Sequence, residues 1–153
     1  MTDLPLRTFI AAKGVLVYNG RVLFLREAGS YVDGANIGKY DVPGGRLNPD
    51  EDVLDGLKRE VFEETGCAVT AARPFHVLDW RVTRPSEHWH ISAIFFAVPV
   101  ASDVVKLSQD HDDYVWMDLS KPATIPIMKN YEAMLNDLRV LCGDMLTGAA
   151  HAA

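Results

Sequence analysis

Two β-rich apolar runs flank Asn19-Gly20 in "GVLVYNGRVLFLRE", residues 14–27. That dipeptide favours a type I′ hairpin turn, because both turn residues must take positive φ. Strands are predicted near 10–18 and 21–26. The next segment, "EAGSYVDGANIGKY", is rich in Gly and polar residues and reads as a long loop. Loops of that length in a compact domain are usually functional or mobile. In "YDVPGGRLNPDED", Pro43 fixes one φ angle, and Gly44-Gly45 open backbone angles closed to other residues. Asn48-Pro49-Asp50 marks a turn and a helix start, with acidic side chains near the positive end of the helix dipole. The helix is predicted over about 51–65, stopped by Gly66. Strands follow near 68–83 (interrupted at Pro74), 88–99 and 113–118. An amphipathic helix is predicted over about 128–142. No repeat or linker divides the chain, so a single domain over 1–153 is expected. Strands, helix, strands, helix fits an α/β fold, an α/β/α sandwich with a mixed sheet between helices.

The central helix has an unusual polar face. On a wheel of about 100° per residue with Glu60 at 0°, Glu64 falls near 40° and Glu63 near 300°. Leu57, Val61 and Leu54 form the neighbouring apolar stripe, near 60–120°. Like charges three and four apart each cost a helix about 0.2–0.5 kcal/mol. A solvated acidic surface would tolerate that cost, whereas a bound cation would offset it. Gly56 lies on the carboxylate face, near 320°. A mid-helix glycine costs about 0.8–1 kcal/mol against alanine. Close approach of the Gly44-Gly45 loop, or of a ligand, would offset it. Carboxylate oxygens with no soft ligands nearby suit Mg²⁺ or Mn²⁺, and both ions also take phosphate oxygens.

Composition narrows the partners. The net charge is −6 over 153 residues. That argues against broad coating of a nucleic-acid polymer, which needs basic patches. A nucleotide substrate remains open, because a divalent ion supplies positive charge locally. Cys67 and Cys142 form no CxxC pair, which argues against a disulfide framework or zinc site and reads as two reduced thiols in a cytoplasmic protein. The start "MTDLPLRTFI" lacks a secretory pattern. "ISAIFFAVPVA" is too short to span a bilayer, so no membrane partner is expected.

Gly45, Glu51 and the run Arg59-Glu60-Val61-Phe62-Glu63-Glu64-Thr65-Gly66-Cys67 resemble the Nudix box, G-x5-E-x7-R-E-U-x-E-E-x-G-U, where U is bulky and apolar. Every fixed residue matches. Cys67 stands where the family usually has Ile, Leu or Val, and packs as a small hydrophobe. The flanking order of elements extends the resemblance to about 8–142, leaving 143–153 as a frayed tail. The resemblance implies hydrolysis of a phosphoanhydride bond in a nucleoside diphosphate linked to another moiety, either a nucleoside triphosphate or a nucleotide sugar such as ADP-ribose. It also implies Mg²⁺ or Mn²⁺ as cofactor and permits a homodimer. By position, Glu60, Glu63 and Glu64 match the metal-binding glutamates, and a carbonyl of Gly44 or Gly45 would complete the coordination. Glu60 would also act as base, with Arg59 orienting it. Glu51 and Gly56 would support the site. Asp110 or Asp112, in "LSQDHDDYVW", offers a second base or metal contact, as in relatives that draw the base from a later loop. Arg26, Arg46, Tyr31 and Trp80 are candidates for substrate contact. The competing reading is a Nudix-like module that binds a nucleotide without cleaving it; loss of a box glutamate would favour it, and none is lost.

Overall fold

The computed structural model describes residues 3–30 and 36–147. In chain order its elements are β1 (Leu6–Tyr18), β2 (Arg21–Glu27), β3 (Tyr40–Asp41), β4 (Gly44–Arg46), α1 (Val53–Thr65), β5 (Arg73–Thr83), β6 (His88–Pro99), β7 (His111–Asp118), α2 (Tyr131–Leu141) and α3 (Gly143–Leu146). Asn19 and Gly20 carry φ of 47° and 73°, the two positive angles that the hairpin between β1 and β2 requires. The two strands pair only at Val17↔Val22 and Tyr18↔Arg21, and then diverge.

That divergence shapes the molecule. β1 pairs in parallel with β6 from Leu6↔His88 to Val17↔Pro99. Its other edge takes β4, at Ala11↔Arg46, Ala12↔Gly45 and Lys13↔Gly44. β2 pairs instead with β7 and β3. β5 closes the far edge against β6. The sheet is therefore mixed, and alternation along each strand sends successive side chains to opposite faces. Ala11, Val15, Val17, Ala93 and Phe95 pack with Met134, Leu135 and Leu138 of α2. Ala12, Leu16, Phe96 and Val98 pack with Leu57 and Val61 of α1. The result is the expected sandwich of helix, sheet and helix.

Local readings differ from the structure where distant pairing decides. β1 begins at Leu6 rather than near 10, because its partner β6 continues to His88. Residues 68–72 stay outside β5, whose pairing starts at Arg73↔Ala97. Pro74 does not interrupt the strand; the register shifts between Pro74 and His76 at an edge, where a missing N–H is tolerated. β3 and β4 form inside the stretch read as loop and turn. Residues 128–130 do not join α2, since Ile127 bridges Tyr40 and the Met128 amide donates to its carbonyl at 3.2 Å. Leu54 is 50% exposed and leaves the apolar stripe to Leu57 and Val61. The segment read as a frayed tail begins with the short helix α3, and residues 148–153 lie outside the described chain. Among the described residues, no helix is long and apolar enough to cross a membrane.

Candidate catalytic site

α1 starts at Asp52, whose backbone is extended, and ends at Gly66 with φ 72°, the left-handed stop expected of glycine. Gly56, Leu57, Val61 and Thr65 are its buried positions. Glu60 and Glu64 flank that face and meet β4, while the Glu63 side chain is largely exposed. A Cβ on Gly45 would stand 2.9 Å from the carboxyl carbon of Glu60, so a side chain there would push that carboxylate aside. The Gly44 amide donates to Oε2 of Glu64 at 2.9 Å.

Arg59 is the hub. Its Nε and Nη2 grip Glu51 at 2.7 and 2.9 Å, a two-pronged carboxylate clamp. Nη1 reaches Glu60 Oε1 at 2.9 Å and Glu63 Oε2 at 3.4 Å. Nη2 also approaches the Arg46 carbonyl at 3.4 Å. Bonds from Arg59, and then from the Asn48 amide, hold Glu51 down at about 2. The neighbours of Gly56 differ from the expected loop or ligand: a Cβ there would meet Leu47 Cδ2 at 2.2 Å and Glu51 Oε2 at 3.0 Å. The glycine makes room for the leucine and the clamped glutamate.

A second cation lies inside. Lys13 is buried in the middle of β1 and donates to Asp41 Oδ2 at 2.9 Å. The Tyr131 hydroxyl and the Val42 amide both donate to Asp41 Oδ1. Burial would lower the Lys13 pKa, but the charges of Asp41, Glu64 and Glu60 outweigh it and raise the value. This Lys13–Asp41–Tyr131 cluster was missed by sequence reasoning. The signal was present: Lys13 is the lone charge in the run "FIAAKGVLVY".

Glu64 is the most perturbed acid. Burial, chiefly, pushes it up to about 8; Lys13 and the Gly44 amide pull it down, and the charges of Glu60 and Asp41 add to the rise. An unfolded glutamate titrates near 4.5. Between those values the folded chain keeps a proton that the unfolded chain has lost, so stability falls as pH rises from about 4.5 to 8. In EDTA, the thermal midpoint of wild type minus that of Glu64→Gln should decline across this window, by an amount worth a few kcal/mol. Parallel melting profiles for the two proteins would contradict it.

The remaining candidates separate. Asp112 accepts from Arg26 Nε at 2.7 Å, so these two expected contacts occupy each other. Asp113 accepts from the Tyr40 hydroxyl at 2.7 Å. Asp110 is exposed, and its carbonyl accepts from the Ala28 amide at 2.9 Å. His111, next to it, is held below its usual pKa by burial and then by Lys13. Trp80 packs half-buried on the α2 side of the sheet. Arg46 lies over Phe9 and Trp89. Tyr31 lies outside the described residues.

The donor set around α1 is all oxygen, which fits a hard divalent ion. Glu64, half-buried and inclined to hold a proton, is a group that a cation would relieve. Among the described residues no three acidic, His or Cys side chains are already gathered into a cage. Glu60 and Glu64 each answer to an internal donor, and the Glu63 side chain is 57% exposed. None of these side chains lines the half-open pocket of about 670 Å³ formed by residues including Leu78, Ile127, Met128 and Asn130.

Comparison with known proteins agrees with the fold. The family model described as NUDIX domain matches residues 8–138. Nudix hydrolase 2 of Arabidopsis thaliana is 28% identical over 137 residues, 88% of this chain and 47% of the relative. The chain spans less than half the length of the curated relatives it matches. Among solved structures, the MutT protein of Methanosarcina mazei Go1 superposes with a TM-score of 0.69 at 26% identity, over 93% of this chain and 99% of that one. The MutT NUDIX hydrolase of Burkholderia pseudomallei gives 0.71 at 22% identity, over 86% and 98%, a likeness of fold.

Proposed function

This chain belongs to the Nudix family of hydrolases, and we propose that it cleaves a phosphoanhydride bond in a nucleoside diphosphate linked to another moiety, with Mg²⁺ or Mn²⁺ as cofactor. The observation that carries this reading is the Arg59 hub. One guanidinium spans Glu51, Glu60 and Glu63 while Gly45 admits the Glu60 carboxylate against β4. A merely acidic surface needs neither the clamp nor the glycine.

Glu60, Glu63 and Glu64 would hold the divalent ion, with a carbonyl of Gly44 or Gly45 beside them. When bound, the ion would screen phosphate charge and make a water easier to deprotonate. The rest falls to the chain. Arg59 occupies Glu60 Oε1 and so leaves Oε2 to take a proton from the attacking water. Glu51 holds Arg59 in place and never loses its charge at working pH. Lys13, paired with Asp41, adds positive charge beside the acidic face. Of the acids in the later loop, Asp112 is bonded to Arg26, which leaves Asp110 as the rival base. Asp110→Asn is therefore the comparison variant.

The test is a panel of nucleoside di- and triphosphates, nucleotide sugars and dinucleotides, assayed with Mg²⁺ for release of a mononucleotide. At least one class should be turned over, and EDTA should abolish the activity. Equal activity in EDTA would overturn the metal dependence. Binding without turnover of any class would make the chain a nucleotide-binding module.

A further inference from the structure

β5 closes one side of the sheet and, among the described residues, pairs only with β6. The Arg84 amide donates to the Glu87 carbonyl at 2.8 Å where the chain turns between the two strands. Bonding alternates along an antiparallel pair, so Leu78, Trp80 and Val82 spend their backbone groups on β6. The amides and carbonyls of Val77, Asp79, Arg81 and Thr83 therefore point outward, away from β6. That free edge runs for about 20 Å at about 3.4 Å per residue. Prolines and bulges blunt such edges. β5 has both at its start, in Pro74 and the register shift before His76, and neither from Val77 to Thr83.

The side chains of this stretch divide by face. Leu78, Trp80 and Val82 pack half-buried against the core under α2. Val77, Asp79, Arg81 and Thr83 are exposed on the other face. The charges there are unmatched. His90 and Ser92 both meet Oδ1 of Asp79, which leaves its Oδ2 free. Among the described residues Arg81 stands in no ion pair. The strand at the other side differs. β7 pairs only with β2, and it carries Asp112, Asp113 and Asp118 without a Lys or Arg of its own to oppose them in a second copy.

The edge of β5 matches itself. A twofold axis through the sheet keeps like faces on one side, so the residues it opposes are an even number apart. With the axis at Trp80, Asp79 of each copy faces Arg81 of the other, Val77 faces Thr83, and Leu78 faces Val82. With the axis at Asp79 or Arg81, like charges meet on it. With the axis at Leu78, the pairing runs into the register shift before His76. We propose that the chain forms a homodimer through β5, paired antiparallel about Trp80. The outward backbone groups then find partners, Oδ2 of each Asp79 meets a guanidinium, and the two indoles come together on the α2 face. β6 and β1 lie between β5 and β4, so the acidic face of α1 stays outside the interface.

The experiment is sedimentation velocity over a concentration series. It uses wild type, Asp79→Arg, Arg81→Asp and the double exchange Asp79→Arg/Arg81→Asp. Wild type should pass from monomer to dimer as concentration rises. Each single substitution sets like charges against each other on both sides of the axis, and should weaken the dimer about tenfold or more. An equimolar mixture of the two single variants should dimerise like wild type, because one copy then opposes arginines to the aspartates of the other. The double exchange should dimerise like wild type as well. Recovery in the mixture also shows that both single variants are folded. A wild type that stays monomeric overturns the interface and leaves the edge to a strand of another protein. Single variants that dimerise as tightly as wild type overturn it too, by placing the contact on a different surface. A mixture and a double exchange that both stay monomeric overturn the register about Trp80.

Discussion

Glu60→Gln is expected to lower Mg²⁺-dependent turnover by about 10²–10⁴-fold, the range lost when a positioned general base is removed. The fold should barely notice. Glutamine has the same shape, still fits against Gly45, and still offers an oxygen to Arg59 Nη1. Turnover and the thermal midpoint, measured on the same preparation, separate the two effects. Glu64→Gln makes an instructive companion. It should also lose activity by orders of magnitude, yet melt higher than wild type in EDTA at pH 8, because it removes a carboxylate that burial disfavours. Turnover within tenfold of wild type for Glu60→Gln would take the base from Glu60 and point to Asp110.

Arg59→Ala should lower kcat/KM by about 10²-fold although it substitutes no proposed metal ligand, because misplacing a catalytic group by an ångström costs that much. Arg59→Lys should not restore it. A lysine brings the charge but not the fork that holds Glu51 with two bonds and Glu60 with a third. Stability should fall as well, and here pH gives a specific check. Glu51 titrates in the fold near 2 rather than 4.5, so its stabilising effect is present above about pH 4.5 and is lost as pH falls toward 2. The alanine variant should lose that acid limb. A double-mutant cycle with Glu51→Ala should show strong non-additivity. Additive effects would mean that the clamp is not the source of either loss.

The helix and its acidic face were legible because they are local. The spacing of Gly45, Glu51, Arg59 and the glutamates is a statement about one loop and one helix. Helical geometry alone puts the three carboxylates on one side of the helix. The hairpin at Asn19-Gly20 was legible for the same reason. Other features were not, because they depend on which distant strands meet. β4 forms only by pairing with β1, and β1 reaches back to Leu6 only because β6 runs beside it. The role of Gly56 likewise could not be read from a wheel, since its neighbours are Leu47 and Glu51 folded back over the helix.

The amino-acid order by itself determined the acidic face of α1, which follows from helical spacing, and pointed to the family through its resemblance to the Nudix box. Only the tertiary structure decided how that face is neutralised. It brought Lys13 from β1, Asp41 from β3 and Tyr131 from α2 into one buried cluster beside Glu64. It turned Arg26 and Asp112, read as separate contacts, toward each other. It stacked Arg46 and Arg84, which lie on different strands and loops, against one tryptophan. Charge interactions fall off with distance in space, and distance in space is set by strand pairing rather than by position along the chain.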